Sequence, residues 1–316
     1  MRAHTILAER FLLESRLSHR PHASVWKAVD LRRGVLVALR VIEVVDASDA
    51  DAMRRAQREL QLTRGLRDRG LVRVLAWGQE SHVAWIATEW VEGADLRDWQ
   101  RSVLPRGVGD EADRARVAAL LAMYAQVARS MACAHTAGVL HRDLSPSNVR
   151  ISAVSGHPVV IDFGLARASS VTDGTRLTRT LGMVGSPHYL SPEAVAGVPC
   201  TAQSDVFSLT AMLWEALSGS PPWQSSSVLD TALARLHGPP SWSSFGGRFP
   251  QSLGGVLEAG LSPAEADRPM GMKALCNLLL NVRDDVLGAD PRRGTMRLRR
   301  LVGRVAWSDI VNVLSR

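Results

Sequence analysis

The chain has 316 residues, 46% hydrophobic and 22% charged, ordinary values for a folded globular protein that argue against disorder or a fibrous repeat. Its net charge of +7 rests on 38 basic residues, of which only Lys27 and Lys273 are lysine. Arginine is thus the general surface cation, and no single arginine signals nucleic acid. Three scattered cysteines, Cys133, Cys200 and Cys276, argue against a disulfide framework or a CxxC metal site and fit a reduced, cytoplasmic setting.

In chain order, the opening residues lack a continuous apolar run, so no signal peptide is expected. Alternating apolar residues predict strands over 11–17, 24–31 and 35–45, the last two joined by a turn at Arg32, Arg33 and Gly34. Ser48 caps a predicted helix with Met53, Ala56 and Leu60 on its apolar stripe. Strands follow over 71–77 and 82–90, and Gly93 breaks the pattern before a short helix near Ala94. Beyond residue 110 the texture turns helical, with helices predicted at 112–137 and 203–218 and amphipathic segments to about 283. The apolar run from Val117 to His135 is broken by Gln126 and Arg129, which favours a buried helix over a membrane span. Residues 219–250, rich in Pro, Ser and Gly, predict loop with one short helix near 228–236. A β-rich part followed by a helical part reads as α+β.

The chemistry concentrates in His141, Arg142, Asp143, Leu144, Ser145, Pro146, Ser147 and Asn148, followed by Asp162, Phe163 and Gly164. These residues resemble the protein-kinase family, whose catalytic loop reads HRDxxxxN and whose magnesium loop reads DFG. More narrowly, HRDxSPxN resembles the bacterial, eukaryotic-like Ser/Thr kinases. The resemblance spans residues 8–283 and implies a bilobal fold: a small β-rich N-lobe with one αC helix at 8–91 and a larger helical C-lobe at 92–283. It also implies ATP and Mg2+ (or Mn2+) as cofactors and a protein as substrate. Carried over by motif, Asp143 orients the substrate hydroxyl, while Asn148 and Asp162 hold the metal. Arg142 partners a phosphate on the activation segment, where Thr178 and Thr180 are the candidate acceptors. Glu193, Asp205 and Arg268 match structural positions, Glu193 pairing with Arg268 and Asp205 anchoring the catalytic loop.

The nucleotide-binding set implied by the same resemblance is Val25, Ala38, Arg40, Glu59, Thr88, Glu89, Val91 and Arg150, and it departs from the family. Ser18, Arg20 and Ala23 stand at the three glycines of GxGxxG, so the loop loses the freedom that close approach to phosphate requires. VAIK becomes Val37, Ala38, Leu39, Arg40, whose guanidinium is expected to pair with Glu59 but to misplace the α- and β-phosphates. Lys27, on the preceding strand, is a weaker substitute cation. Arg150 stands at the apolar floor beneath adenine, where it snorkels outward, stacks on the base or fills the slot. Thr88 is the expected gatekeeper, with Glu89, Trp90 and Val91 as the hinge, and Thr63 replaces an apolar residue one turn after Glu59. Ser145 replaces a common lysine.

Residues 284–316 crowd Arg292, Arg293, Arg297, Arg299, Arg300 and Arg304 around Leu298, Leu301, Val302 and Val305. That pattern predicts a basic amphipathic helix suited to an anionic membrane surface, an acidic partner or the kinase body, and not to nucleic acid. Three functional classes stay open: a Ser/Thr kinase of weakened activity, a pseudokinase that scaffolds or regulates a partner, and a tethering module built on the basic tail.

Overall fold

The computed structural model describes residues 2–20, 23–43, 61–80, 83–103, 107–163, 187–225 and 227–288. The expected helix after Ser48 with Glu59, the segment holding Thr178 and Thr180, and the basic tail from residue 289 lie outside them.

The small lobe is one antiparallel sheet of six strands, β1 (Ile6–Leu7), β2 (Phe11–Arg20), β3 (Ala23–Asp30), β4 (Val35–Glu43), β5 (Val74–Glu80) and β6 (Val83–Glu89), in the order β1-β2-β3-β4-β6-β5. Side chains alternate across a strand, so one face collects the apolar set and the other faces the cleft. Phe11, Leu13, Trp26, Ala28, Val37, Leu39, Val41, Trp85 and Ala87 form the core of the first face. Phe11 meets Trp85 edge-on at 4.8 Å. Asp30, buried at the end of β3, takes both oxygens to Arg10, at 2.9 and 2.6 Å, and pins the sheet's outer strands. On the other face the register sets Val25 beside Arg40 and Lys27 beside Ala38.

Several boundaries differ from the sequence expectation, among them β2, which runs on from residue 17 to Arg20, and two that bear on the site. Leu71 makes only an isolated bridge to Val160, and β5 begins at Val74, because residues 71–73 are drawn down onto the large lobe by the Val72 to Val160 backbone bond of 2.9 Å. The helix expected near Ala94 begins after a short strand, β7 (Gly93–Asp95), and Asp95 caps it by accepting from the Asp98 amide at 2.9 Å.

The large lobe holds α1 (Leu96–Ser102), α2 (Glu111–Thr136), the strands β8 (Val149–Ser152) and β9 (Pro158–Val160), and α3 (Pro192–Val195). It continues with α4 (Ala202–Ser218), α5 (Val228–Ala234), α6 (Gln251–Gly260) and α7 (Met272–Val286). Strands β7, β8 and β9 form a second small sheet. Helix α2 is long and apolar enough to cross a membrane by composition, but 67% of its apolar window is buried inside this lobe. Its Val117, Leu121, Tyr124 and Met131 pack in one core with Leu209 and Leu213 of α4, Leu253 of α6 and Leu275 and Leu279 of α7. A Cβ on Gly260 would sit 2.4 Å from the Thr210 hydroxyl, so glycine is what lets α6 close on α4.

The lobe is tied across its base by Arg268, whose side chain is fully buried. Its five N–H groups meet Glu193 Oε1 and Oε2, at 2.8 and 3.0 Å, and the carbonyls of Ser262, Gln203 and Pro263. Burial alone would raise the Glu193 carboxyl, but hydrogen bonds from Arg268 and from Ser204 at 2.5 Å outweigh it and hold the group well below the usual carboxylate range. Arg268→Ala leaves that carboxylate buried without its partner and is expected to cost about 3–5 kcal/mol, read as a lower urea midpoint. The pair's contribution is complete above the unfolded glutamate value near about 4.3 and is lost as pH falls through the lower folded value. Glu193→Gln should therefore show a smaller loss of stability than the parent chain on acidification below about pH 4.5. Equal acid sensitivity in the two would mean the pair does not titrate as described.

Candidate functional site

The catalytic loop hangs from one carboxylate. Asp205 lies in the first turn of α4, which Thr201 caps, and the residue is 1% exposed. It accepts from the backbone N–H of His141 at 2.9 Å and of Arg142 at 2.8 Å, and it meets His135 Nε2 at 2.8 Å. Desolvation pushes its pKa up, but His135 and His141 more than compensate, so it is held below the usual range and stays anionic. Those two amide bonds stabilise Arg142 at φ 67°, a left-handed conformation that costs a non-glycine residue about 1–3 kcal/mol.

From that anchor the loop builds inward. His141 is fully buried, its Nδ1 accepts from the Asp143 amide at 3.3 Å and its Nε2 meets the Ile161 carbonyl at 2.9 Å. The pair of bonds assigns the Nε2–H tautomer and ties the loop to the strand that delivers Asp162. His141 also lies against Phe163, with ring centroids 5.1 Å apart. Asn148 ends a 3-10 turn, Pro146–Asn148, and its Nδ2 donates to the Asp143 carbonyl at 2.7 Å. Spending its amino group there leaves the Asn148 side-chain oxygen as the free end of the amide. The Ile161 amide donates to the Asn148 carbonyl at 2.9 Å, so Asp143, Asn148 and Asp162 are brought to one place by backbone as well as by side chain. Ser145 is 3% exposed and its hydroxyl meets that of Ser147 at 3.0 Å, so it supplies a neutral brace where a cation was expected by resemblance.

The roof of the cleft is less conventional. Strands β2 and β3 pair through to Arg20↔Ala23, so all three glycine substitutes lie on paired strand, just past a register shift between Arg16 and Ser18. Among the described residues the ionic partner of Arg40 is Asp162, with Nη1 3.4 Å from Oδ2, whereas the expected partner Glu59 lies outside them. Arg40 Nε is buried and has no hydrogen-bond partner among the described residues. Lys27 instead reaches Glu14 at 3.5 Å and lies over the Trp90 ring at 5.6 Å, at the hinge. That placement takes it away from Asp162 as a substitute for Arg40. Arg150 resolves its three options sideways: its Nη2 donates to the Gly93 carbonyl at the end of the hinge. Gly93 itself has φ 142°, and a Cβ there would lie 1.9 Å from the Ile151 carbonyl oxygen, so only glycine turns the chain from hinge to β7.

Thr88 pairs with Ala38, its hydroxyl 3.4 Å from the Ala38 carbonyl, and Glu89 is held by Arg73 through side chain at 2.9 Å and backbone at 3.1 Å. Val91 packs on the large-lobe core, Val25 is half-buried on the cleft face, and Thr63 is buried. The residues present divide by chemistry: the Asp162 carboxylate and the Asn148 amide oxygen are hard oxygen ligands suited to a divalent cation, whereas the Arg40 guanidinium is the group suited to a phosphate oxygen.

The protein kinase domain description matches residues 21–259. The chain belongs to the protein kinase family. The Ser/Thr protein kinase PkaA of Streptomyces coelicolor is 33% identical over 276 residues, 83% of this chain and 48% of that protein. PknA of Mycobacterium tuberculosis is 31% identical over 239 residues, 74% of this chain and 52% of the relative. The chain thus spans about half the length of these relatives. The crystal structure of the M. tuberculosis PknI kinase domain superposes with a TM-score of 0.66 at 24% identity, covering 89% of this chain and 99% of that one, and supports the bilobal fold. The kinase is of the bacterial, eukaryotic-like Ser/Thr type.

Two features of this kinase domain were missed by motif reading. His135, at the end of α2, is a ligand of the Asp205 anchor, and six residues' separation from His141 was its only trace. Glu215, the single charge in the apolar run from Val206 to Leu217, accepts from the Tyr189 hydroxyl, which Arg97 also meets at 3.0 Å. Burial, with Glu215 beside it, pushes that hydroxyl's pKa well up, so it remains a donor.

Asp205→Asn tests the anchor. The amide keeps one acceptor and turns an NH2 toward one of the two loop amides, a loss of about 1–3 kcal/mol. Hydrogen exchange across residues 139–145 should accelerate at least tenfold, about 1.4 kcal/mol, while that of α6 and α7 stays unchanged. Unchanged loop exchange would contradict the anchor's role.

Proposed function

We propose that this kinase domain transfers the γ-phosphoryl group of ATP to Ser or Thr hydroxyls on protein, at a rate lowered by its altered nucleotide cleft. The observation that carries the proposal is the assembled loop, in which Asn148 braces the Asp143 carbonyl and Asp205 holds the two preceding amides. Asp143 orients the acceptor hydroxyl and takes up its proton as the new O–P bond forms. Asn148 and Asp162 are the residues that would hold magnesium, which when bound neutralises charge on the phosphate oxygens. Ala38 and Val25 line the base-binding side of the cleft, Thr88 closes its back, and the hinge from Glu89 to Val91 offers backbone groups to the adenine edge. Arg40 meets the phosphates. The Glu193–Arg268 tie supports a protein substrate, since small-molecule kinases of related fold usually lack this pair. Thr178 and Thr180 are proposed sites of self-phosphorylation, with Arg142 as the phosphate's partner.

A second reading, a pseudokinase that regulates a partner without transfer, is favoured by one observation: Arg40 sits on the carboxylate meant for the metal. Labelling with radioactive γ-phosphate ATP separates the two. The purified chain in Mg2+ or Mn2+ is expected to label itself slowly on Ser or Thr, and Asp143→Asn should lower the rate at least about a hundredfold. No label, together with no nucleotide-induced rise in melting temperature, would establish the pseudokinase reading instead.

A further inference from the structure

We propose that Arg40 replaces much of the charge neutralisation that a divalent cation supplies in this cleft, so that the domain binds a nucleoside triphosphate with little dependence on metal. The inference rests on the nucleotide-binding function above and concerns how the same site is charged. The contact that starts it is Arg40 Nη1 to Asp162 Oδ2 at 3.4 Å, with side chains 16% and 32% exposed. A divalent ion at that carboxylate would sit beside a guanidinium already placed on Oδ2, and two cations on one carboxylate repel each other.

The shape of the group matters as much as its charge. A lysine at this position would be a compact ammonium whose three donors radiate from one atom, so its carboxylate and phosphate partners would have to crowd a single point. A guanidinium is planar, with donors along more than one edge. In Arg40 one edge is spent on Asp162, while Nε is buried with no partner among the described residues. A buried donor without an acceptor carries a standing penalty that an oxygen ligand removes. A small shift of the Arg40 side chain that uncovers Nε would let a phosphate oxygen accept that hydrogen bond while Nη1 stays on Asp162, so one organic cation would bridge phosphate and carboxylate.

Neighbouring residues leave Arg40 this role. Ser145 is neutral and bonded to Ser147, and Lys27 is engaged at the hinge with Glu14 and Trp90. Among the described residues Arg40 is the cation that reaches Asp162. Asp162 follows directly on the Ile161 amide bond to Asn148, and its carboxylate meets Arg40 there.

The test is calorimetric titration of the whole chain with ATP, once in excess Mg2+ and once in EDTA. The dissociation constant in EDTA is expected to lie within about fivefold of that in Mg2+. Arg40→Lys should keep binding in Mg2+ but weaken binding in EDTA at least tenfold, about 1.4 kcal/mol, because its donors sit on one atom and cannot span phosphate and carboxylate as the wider guanidinium does. Arg40→Met, which keeps the apolar stem, should lose binding in EDTA altogether, and its melting curve reports that it is folded. If the parent chain binds in Mg2+ and not in EDTA, or if Arg40→Lys is as metal-independent as the parent, the inference is wrong while the nucleotide-binding function stands. Binding in neither condition would overturn both.

Discussion

A carboxylate sealed inside the large lobe fixes where the loop of His141 to Asn148 sits in this kinase domain. Asp205 cannot reach water, so its charge must be met by donors, and those closest are the His141 and Arg142 amides and the His135 ring. Because the acceptor is rigid, being in the first turn of a helix buried from Ser204 to Trp214, the donors must come to it. That requirement bends Arg142 into a left-handed conformation and sets Asp143 at the mouth of the cleft. Asn148 and Ile161 then extend the same lattice to Asp162. One interior charge therefore organises three separated segments, from 135, from 141–148 and from 161–163.

The roof of the cleft has no comparable anchor among the described residues. Its strands are held by their own ladder and by an apolar face turned away from the cleft, so cleft-facing positions carry less of the packing burden. Arginine at 40 and 150 is tolerated there because each finds an oxygen, Asp162 Oδ2 in one case and the Gly93 carbonyl in the other. The same freedom that admits these substitutions alters what the cleft can hold. Both lobes thus bury a paired carboxylate, but Asp205 below holds the catalytic loop, whereas Asp30 above holds the outer strands and leaves the cleft face to the strand ladder.

How much of this the sequence discloses follows from the range of each interaction. Alternation in 24–31 and 35–45 marks β3 and β4 because the signal is local, and the spacing from Asp143 to Asn148 and Asp162 marks the loop because the motif is contiguous. Glu193 and Arg268 are 75 residues apart and still legible, through motif resemblance and not through any local pattern. What stays hidden is the choice of partner when several lie within reach of a long side chain. Arg40 bonds to Asp162, 122 residues on, and Arg150 to a backbone oxygen 57 residues back, and neither choice has a residue type to announce it. Gly93 looks like a helix boundary in sequence, but its φ and its contact with Ile151 serve a strand. Glu59, Thr178 and Thr180 remain sequence expectations.

The central claim is that the transfer loop is intact and the nucleotide cleft is what limits the kinase. The most direct measurement is the dependence of self-phosphorylation rate on ATP concentration, compared between the parent chain and the double variant Arg40→Lys with Arg150→Val. Restoring the cleft should lower the KM for ATP at least tenfold, about 1.4 kcal/mol, while kcat stays within about threefold, since the groups that act on the acceptor hydroxyl are unchanged. A KM left where it was, with any gain or loss confined to kcat, would contradict the account and place the limitation in the loop itself.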